Sequence, residues 1–93
     1  MIRTFRNSET EAVFHGRRVP SFPPDIQGRA RTKLHILHRV NSLEELRQVP
    51  GNHLERLSGD RAGQWSIRVN QQWRLCFRWE EENAYEVEIT DYH

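Results

Sequence analysis

Two arginines in the second half of the chain are the residues whose type and spacing point most clearly to chemistry. Arg68 and Arg74 flank a turn at residues 70–72, in two neighbouring stretches where apolar and polar residues alternate. Matching the apolar sides of those stretches places Arg68 directly opposite Arg74. Like charges in that position destabilise a sheet by roughly a few tenths of a kcal/mol. Paired guanidinium groups bind a phosphate well, so the pair predicts an anion site, and the alternative is two side chains extended into water.

The end of the sequence adds groups that can move protons. Alternation places Tyr92 near Arg74, and Asp91 and His93 lie on either side of it. Histidine has an unperturbed pKa near neutrality, and so it can donate or accept a proton. With a carboxylate such as Glu55, these are the groups that phosphodiester cleavage needs without a metal. They supply a base for the nucleophile, an acid for the leaving oxygen and cations for the crowded phosphorane.

These positions depend on a sheet, and the second half of the sequence predicts one. Apolar and polar residues alternate over residues 65–69, 73–79 and 85–89, which predicts three antiparallel strands with one face on a core. The same register places Thr90 beside Arg74, because a one-residue slip would turn apolar side chains to the wrong face. The pairs expected across the second turn are Trp79 with Tyr85, Phe77 with Val87, and Arg78 with Glu86.

The first half of the sequence has the periodicity of helices. Two capping boxes, one starting at Ser8 and one at Ser42, predict short helices that end near residues 15 and 48. Between them, apolar residues at helical spacing predict a longer helix over residues 25–40. Those residues are Ile26, Ala30, Leu34 and Leu37. Residues 1–5 alternate and predict a short strand.

Length and composition limit what these elements can build. The chain of 93 residues is expected to form one domain, residues 1–93, with a single modest core. No apolar run approaches the roughly 20 residues of a transmembrane helix, and the first residues do not form an apolar signal segment. Cys76 is the only cysteine, so no internal disulfide forms. Together these features predict a protein of a reducing cytoplasm that does not act at a membrane.

Charge is unevenly distributed along the chain. The basic residues are thirteen arginines and one lysine, and arginine suits bidentate phosphate contacts. Residues 1–40 hold eight lysines or arginines and three acidic residues. Residues 41–79 hold six basic and four acidic residues, and residues 80–93 hold six acidic residues and no lysine or arginine. A polyanionic partner and an arginine-biased genome explain this composition equally well. Arg29, Arg31 and Lys33 form a basic side of the long predicted helix, which is either an RNA contact or a solvated face.

Three other features have simpler explanations than a functional one. His35 and His38 have a spacing that metal ligands use, but no carboxylate or cysteine nearby completes a set, so no metal is expected. The three tryptophans share the apolar side of the strands and are expected at the core margin rather than as base-stacking platforms. Cys76 lies on the arginine side without a histidine or lysine to activate a thiol.

The sequence resembles a known family, the HigB-type toxins of the RelE superfamily, which are killer proteins of bacterial toxin–antitoxin pairs. The resemblance covers nearly the whole chain and includes the helix that begins at Pro23-Pro24-Asp25-Ile26. The segments that carry it are PGNHLERL (50–57), GDRAGQWSIRV (59–69), NQQWRLCF (70–77) and the terminal DYH (91–93).

The resemblance implies an α+β fold, with two to three helices packed on one face of a small, mainly antiparallel sheet of four to five strands. It also implies an enzyme, a ribosome-dependent endoribonuclease that cuts messenger RNA in the decoding site. The ribose 2′-hydroxyl would attack the adjacent phosphate, without a metal or other cofactor.

Site residues follow from the resemblance by position. Arg68 and Arg74 match the family's phosphate-binding and transition-state arginines. Glu55 falls where some relatives place a glutamate that acts as general base and others place a histidine. His93 matches the terminal histidine taken as general acid in such relatives. The other C-terminal active-site positions are Asp91 and Tyr92. Candidates for RNA contacts are Arg29, Arg31, Lys33, Arg61 and Arg78.

The sequence also departs from the family pattern. Ser58 stands where some relatives carry a lysine that contacts RNA, so one cation is missing. His53 resembles the catalytic histidine of some relatives, but spacing back from Gly59-Asp60 puts Glu55 in that position. The alternative function is a catalytically weak or inactive protein of this fold that only binds an antitoxin or ribosomal RNA.

The resemblance also implies partners. A free messenger-cutting enzyme harms its own cell, so a tight protein inhibitor is expected. In HigB-like systems it is an antitoxin with a helix-turn-helix DNA-binding domain, so the pair would contact DNA only through the antitoxin. The remaining partners would be the ribosome and messenger RNA, in the bacterial cytoplasm.

Overall fold

The computed structural model describes residues 1–91 and shows three α-helices followed by an antiparallel sheet. The helices are α1 (Ser8–Phe14), α2 (Pro24–Arg39) and α3 (Leu43–Gln48). The strands are β1 (Glu55–Arg56), β2 (Trp65–Arg68), β3 (Trp73–Glu80) and β4 (Asn83–Asp91), and a 3-10 helix, Gly59–Arg61, lies between β1 and β2. The strands neighbour each other in chain order, and every pair is antiparallel. The expected α+β fold is confirmed.

The register beneath the two arginines is the predicted one. Ile67 lies opposite Leu75, and Arg68 lies directly opposite Arg74. On the other side of β3, Arg74 lies opposite Thr90. The Arg68–Arg74 pair is therefore set by the apolar alternation of β2 and β3, which buries Ile67 and Leu75 completely.

The register expected at the far end of β3 and β4 is wrong. A β-bulge between Cys76 and Arg78 shifts the pairing, so Trp79 lies opposite Ala84 instead of Tyr85. Glu86 takes a left-handed backbone conformation at φ 53°, which is the local cost of inserting an extra residue into one strand. Arg78 lies opposite Tyr85 in the ladder, yet its side chain still reaches Glu86, with Nε 2.6 Å from Oε2.

The N-terminal residues do not form the full strand that their alternation predicted. They run parallel to β4 and join it through two isolated bridges, Ile2 with Ala84 and Phe5 with Val87. Short β-branched and aromatic segments of this kind pair where an open edge is available. β4 supplies that edge, since its other side is taken by β3.

The helices lie close to their predicted bounds. α1 is capped by Asn7, whose side chain accepts from the Thr10 amide, and not by Ser8 as the capping box predicted. The second box is confirmed, because the Ser42 hydroxyl accepts from the Glu45 amide. α2 begins one residue earlier than predicted, at Pro24, since proline fits the first turn of a helix.

The core lies between the helices and one face of the sheet. The buried residues of α2 are the four predicted ones, Ile26, Ala30, Leu34 and Leu37. They cluster with buried residues of the strands, which include Ile67, Leu75, Phe77, Val87 and Ile89. The three tryptophans are partly buried and pack against this cluster, so their expected place at the core margin is confirmed. Among residues 1–91, no helix is long and apolar enough to cross a bilayer.

Candidate active site

The two opposed arginines occupy different environments on the open face of the sheet. The Arg74 residue is only 7% exposed, whereas Arg68 is half-buried. Arg74 donates from Nη2 to the carbonyl oxygen of His53 at 2.9 Å. Arg68 donates from Nε to the carbonyl oxygen of Asn70 at 3.1 Å. Both guanidinium groups are thus oriented by backbone carbonyls, which are neutral acceptors and do not cancel the positive charge.

Glu55 owes its position to strand β1, which the sequence did not predict. Glu55 pairs with Ser66, and Ser66 lies on β2, the strand that also carries Arg68. This pairing brings a carboxylate to the arginine pair from the neighbouring strand, with Glu55 Oε1 3.9 Å from Arg74 Nη1. A carboxylate has several acceptor positions on its two oxygens, so an ion pair of this length is compatible with a substrate proton on the same group.

His53 connects the two arginines. Its carbonyl oxygen accepts from Arg74, and its ring Nε2 lies 3.5 Å from Arg68 Nη1. The residue takes a left-handed conformation at φ 46°, which is uncommon for residues other than glycine. Such a conformation persists only where surrounding contacts hold it, and residues of this kind often lie in functional sites.

The contacts that hold the His53 loop centre on Asn52, which is completely buried. Its Nδ2 donates to the Leu46 carbonyl oxygen at 3.0 Å, and its Oδ1 accepts from Lys33 Nζ at 2.5 Å. Its own carbonyl oxygen accepts from the Arg68 amide at 2.6 Å. One side chain therefore ties α2 and α3 to the loop, and its backbone ties the loop to β2.

These residues line an open cleft of about 430 Å³. Its walls are His53, Leu54, Glu55, Arg68, Asn70, Gln71 and Arg74. Two neighbouring clefts share residues with it: one contains Glu55, and the other contains His53 and Arg68. We call these three adjacent clefts the groove, and the arginine pair lines its central cleft.

On the Glu55 side, the groove has a polar floor. Cys76 is buried there, and burial raises the pKa of its thiol. Thr90 and Asp91 line the same cleft, and Asp91 Oδ2 accepts from Gln72 Nε2 at 3.0 Å. The groove thus gathers four of the six predicted catalytic residues, which are Glu55, Arg68, Arg74 and Asp91. The other two, Tyr92 and His93, lie outside the residues that the structure describes.

The five candidate RNA contacts divide into three groups. Arg61 bonds to Glu88 at 3.2 Å and to Gln64, and Arg78 pairs with Glu86, so each has an acidic partner. Arg29 and Lys33 line the groove beside Arg68. Arg31 lies elsewhere, in a cleft with Arg17 and Arg18. The predicted basic side of α2 is therefore two separate sides, because residues 29 and 31 project about 200° apart on a helix.

Both histidines that have metal-ligand spacing make structural contacts. The ring of His35 stacks on Phe14 at 4.6 Å between centroids, and its Nε2 lies 3.1 Å from the Phe14 carbonyl oxygen. His38 Nδ1 accepts from the Ile2 amide at 3.1 Å. Within residues 1–91, no three His, Cys, Asp or Glu side chains group as metal ligands.

Three residues around the arginines have roles that the sequence did not reveal. The sequence does not reveal His53, because the spacing back from Gly59-Asp60 puts Glu55 in the catalytic position. No sequence pattern singles out Asn52, since its partners come from distant parts of the chain. Asn70 carries a readable signal, because asparagine often stabilises tight turns through its side chain. Its Oδ1 accepts from the Gln72 and Trp73 amides, and its carbonyl accepts from Arg68.

A small antiparallel sheet that carries an opposed arginine pair is the architecture that the resemblance to RelE-like toxins predicts. Residues 3–93 match the family described as "RelE-like toxin of type II toxin-antitoxin system HigB". The chain belongs to this HigB-like toxin family, as its resemblance predicted.

Two relatives agree with that membership. "Toxin HigB-1" of Vibrio cholerae is 44% identical over 57 residues, which are 61% of this chain and 60% of the relative. "Endoribonuclease HigB" of Proteus vulgaris is 31% identical over 94 residues and is covered completely, as is this chain. The chain thus aligns with 60% of the first relative's length and with all of the second.

Solved structures support the fold. The chain is similar to two structures of the YoeB-YefM complex from Staphylococcus aureus, with TM-scores of 0.61 and 0.62 and 18% sequence identity. Each match covers 100% of this chain and 95% of the other.

Proposed function

We propose that this chain is the toxin of a type II toxin–antitoxin pair and cuts messenger RNA on the ribosome as a metal-independent endoribonuclease. The observation that carries the proposal is Arg68 directly opposite Arg74, with the Glu55 carboxylate 3.9 Å from Arg74. A fold gains nothing from opposed like charges on a sheet, whereas the transition state of a phosphate reaction is stabilised by them.

The proposed reaction is an intramolecular transesterification of the RNA, in which the phosphorus exchanges one ester oxygen for another. Glu55 accepts the proton of the ribose 2′-hydroxyl, and the 2′-oxygen attacks the adjacent phosphorus. The bond from phosphorus to the 5′-oxygen of the next nucleotide breaks, and that oxygen takes a proton from His93. The products are a 2′,3′-cyclic phosphate and a free 5′-hydroxyl. No water is consumed in this step.

The arginines act on the charge that develops in this reaction. Arg74 is nearly buried and fixed by the His53 carbonyl, so its guanidinium is already oriented when the phosphorane forms. Arg68 faces it from β2. Preoriented donors of this kind stabilise a transition state without reorganising. We expect Asp91 and Tyr92 to be the remaining residues of the site.

The open form of the groove supports dependence on the ribosome. Glu55 is half-exposed and His53 is exposed, so the groove alone does not enclose a flexible messenger. Holding the reacting atoms in the right orientation can lower such a barrier by a large amount. The decoding site would supply that orientation by holding the codon.

The comparisons support the activity and the partner. A relative aligned along its whole length is named an endoribonuclease. Two similar solved structures are YoeB-YefM complexes, and one of them is described as a toxin-antitoxin complex. We propose a helix-turn-helix antitoxin as the inhibitor, with DNA contacted only through the complex, and a cytoplasmic site of action.

Single substitutions test the site assignment. Glu55→Gln, Arg74→Lys and His93→Gln are each expected to lower messenger cleavage by about a hundredfold or more, the usual size of losing one preoriented group. Growth inhibition on expression should disappear with each. The readouts are single-turnover cleavage on programmed ribosomes and colony counts after induction.

The matched control is Arg47→Lys, because Arg47 lies on α3 and pairs with Glu44 away from the groove. It should cleave as the wild type does. Thermal melting of every variant checks that the fold is retained. If all three site variants stay toxic, the assignment is wrong, and a folded wild type that cuts nothing supports the binding-only alternative.

A further inference from the structure

The groove continues past the arginine pair towards α2. A cleft of about 420 Å³ lies there, and its lining includes Arg29, Lys33, Gly51, Arg68 and Asn70. Among the residues that the structure describes, no aspartate or glutamate lines this cleft. The cations Arg29, Lys33 and Arg68 therefore line a polar cleft without an acidic counterpart from residues 1–91.

Arg29 and Lys33 are one helical turn apart and project to the same side of α2. The Lys33 ammonium is partly buried, where its Nζ donates to Asn52 Oδ1 at 2.5 Å. Burial and the neighbouring Arg29 charge both lower the pKa of Lys33. An anion bound between Lys33 and Arg29 would relieve the repulsion between the two cations.

This cleft shares a wall with the cleft of about 430 Å³ that holds the arginine pair. His53, Arg68, Asn70 and Gln71 line both of them. A ligand that fills both must therefore carry anionic groups at successive positions along its length. Single-stranded RNA has that chemistry, with one phosphate per nucleotide.

We propose that Arg29 and Lys33 form a second phosphate subsite, which binds the RNA phosphate next to the one held by Arg68 and Arg74. The subsite rests on the proposed function, since it takes the same RNA strand. It would fix the direction of the strand in the groove, because the two ends of the groove differ. The opposite end has a mixed lining, in which Glu55, Asp60 and Asp91 accompany Arg56 and Arg61.

The chain provides a matched control for this subsite. Arg39 has the same chemistry as Arg29, is exposed like it and lies on the same helix, but it lines a different cleft. The test compares Arg29→Gln with Arg39→Gln in single-turnover cleavage of a ribosome-bound messenger. Arg29→Gln should lower the rate at subsaturating protein about three- to fivefold, and Arg39→Gln should not change it. The conservative Arg29→Lys should keep most of the rate.

Neutralising the RNA partner identifies the phosphate. A methylphosphonate replaces, in turn, each of the two phosphates that flank the scissile one. At one of these positions the neutral linkage should slow the wild type as much as Arg29→Gln does, with no further loss when both changes are combined. Full additivity at both positions would overturn the proposal.

A binding experiment without ribosomes separates this proposal from the proposed function. NMR titrations compare a 2′-O-methyl dinucleotide, with one phosphate, and a 2′-O-methyl trinucleotide, with two. The wild type and Arg39→Gln should bind the trinucleotide more tightly, with a steeper salt dependence by about 0.7 in log–log slope. Arg29→Gln should lose that difference. Equal behaviour of Arg29→Gln and Arg39→Gln would overturn the subsite even if cleavage occurs. A retained difference without any cleavage would refute only the nuclease.

Discussion

At the scale of single residues, alternation in the sequence was enough to predict the arginine pair. Arg68 and Arg74 are opposed because Ile67 and Leu75 must both face the core, and that constraint is visible in the sequence. The groups that orient the pair were not visible. The carbonyl of His53 accepts from Arg74, and His53 adopts φ 46°. Local sequence does not specify a left-handed histidine.

Cys76 gives a prediction at this scale because its thiol is buried beneath the groove. Burial raises its thiol pKa, so the thiolate is rare at neutral pH. We expect alkylation by iodoacetamide at pH 8 to be slow in the folded protein and fast in denaturant, as followed by mass spectrometry. Cys76→Ser should cleave messenger normally, and a large loss of cleavage would instead give this thiol a catalytic role.

The same thiol contributes to stability in a pH-dependent way. Burial raises its folded-state pKa above the ordinary value of 9.0, so its contribution is complete below that pH and is lost as pH rises through the folded value. The free energy of unfolding should therefore fall with rising pH in the alkaline range. Urea titrations of the wild type and Cys76→Ser should show a shallower fall for the variant, and parallel curves would contradict the assignment.

At the scale of elements, periodicity predicted the helices and strands whose apolar residues recur at regular spacing. It did not predict a two-residue strand or a single bulge. The core side of α2 and the strands β2 and β3 follow from spacing that extends over many residues. β1 has two residues and no period to detect. The bulge near Cys76 shifts the pairing of β3 with β4, which placed Ala84 rather than Tyr85 opposite Trp79. Neither feature repeats along the sequence, and β1 is the one that positions Glu55.

The loop before β1 gives a prediction at this scale through Asn52. Asn52→Ala removes the partner of Lys33 and the donor to the Leu46 carbonyl, so the free energy of unfolding should fall by roughly 2–3 kcal/mol. Cleavage should fall further than stability explains, because the loop carries the carbonyl that orients Arg74. Urea denaturation and single-turnover cleavage measure the two effects. Asn41→Ala, at an exposed position before α3, is the control and should change stability by less than about 0.5 kcal/mol.

The turn between β3 and β4 gives another prediction. Glu81 and Glu82 both have positive φ, 46° and 69°, which is the geometry of a hairpin turn that favours asparagine followed by glycine. The double substitution Glu81→Asn with Glu82→Gly should therefore stabilise the protein by about 1 kcal/mol in urea denaturation. The control, Glu81→Gln with Glu82→Gln, removes the charges but keeps the strain. An equally large gain for the control would assign the effect to charge repulsion.

At the scale of the whole molecule, the uneven charge of the sequence becomes a separation of surfaces. Acidic residues of β4 pair with basic residues away from the cleft that holds the arginine pair: Glu86 pairs with Arg78, and Glu88 pairs with Arg61 and Arg6. Within residues 1–91, Glu55 is the one acidic side chain that lines that cleft. The net charge of +1 therefore understates the positive character around the arginine pair, which suits a polyanion.

The measurement that tests the central claim most directly maps RNA ends after the purified chain is added to ribosomes halted on a defined messenger. We predict a cut at the codon in the decoding site, a 2′,3′-cyclic phosphate on the upstream product and no cut without ribosomes. A single 2′-deoxy substitution before the scissile phosphate should abolish that cut, since it removes the nucleophile. A cut that survives the deoxy substitution, or that leaves a linear phosphate from the outset, would contradict the proposed chemistry.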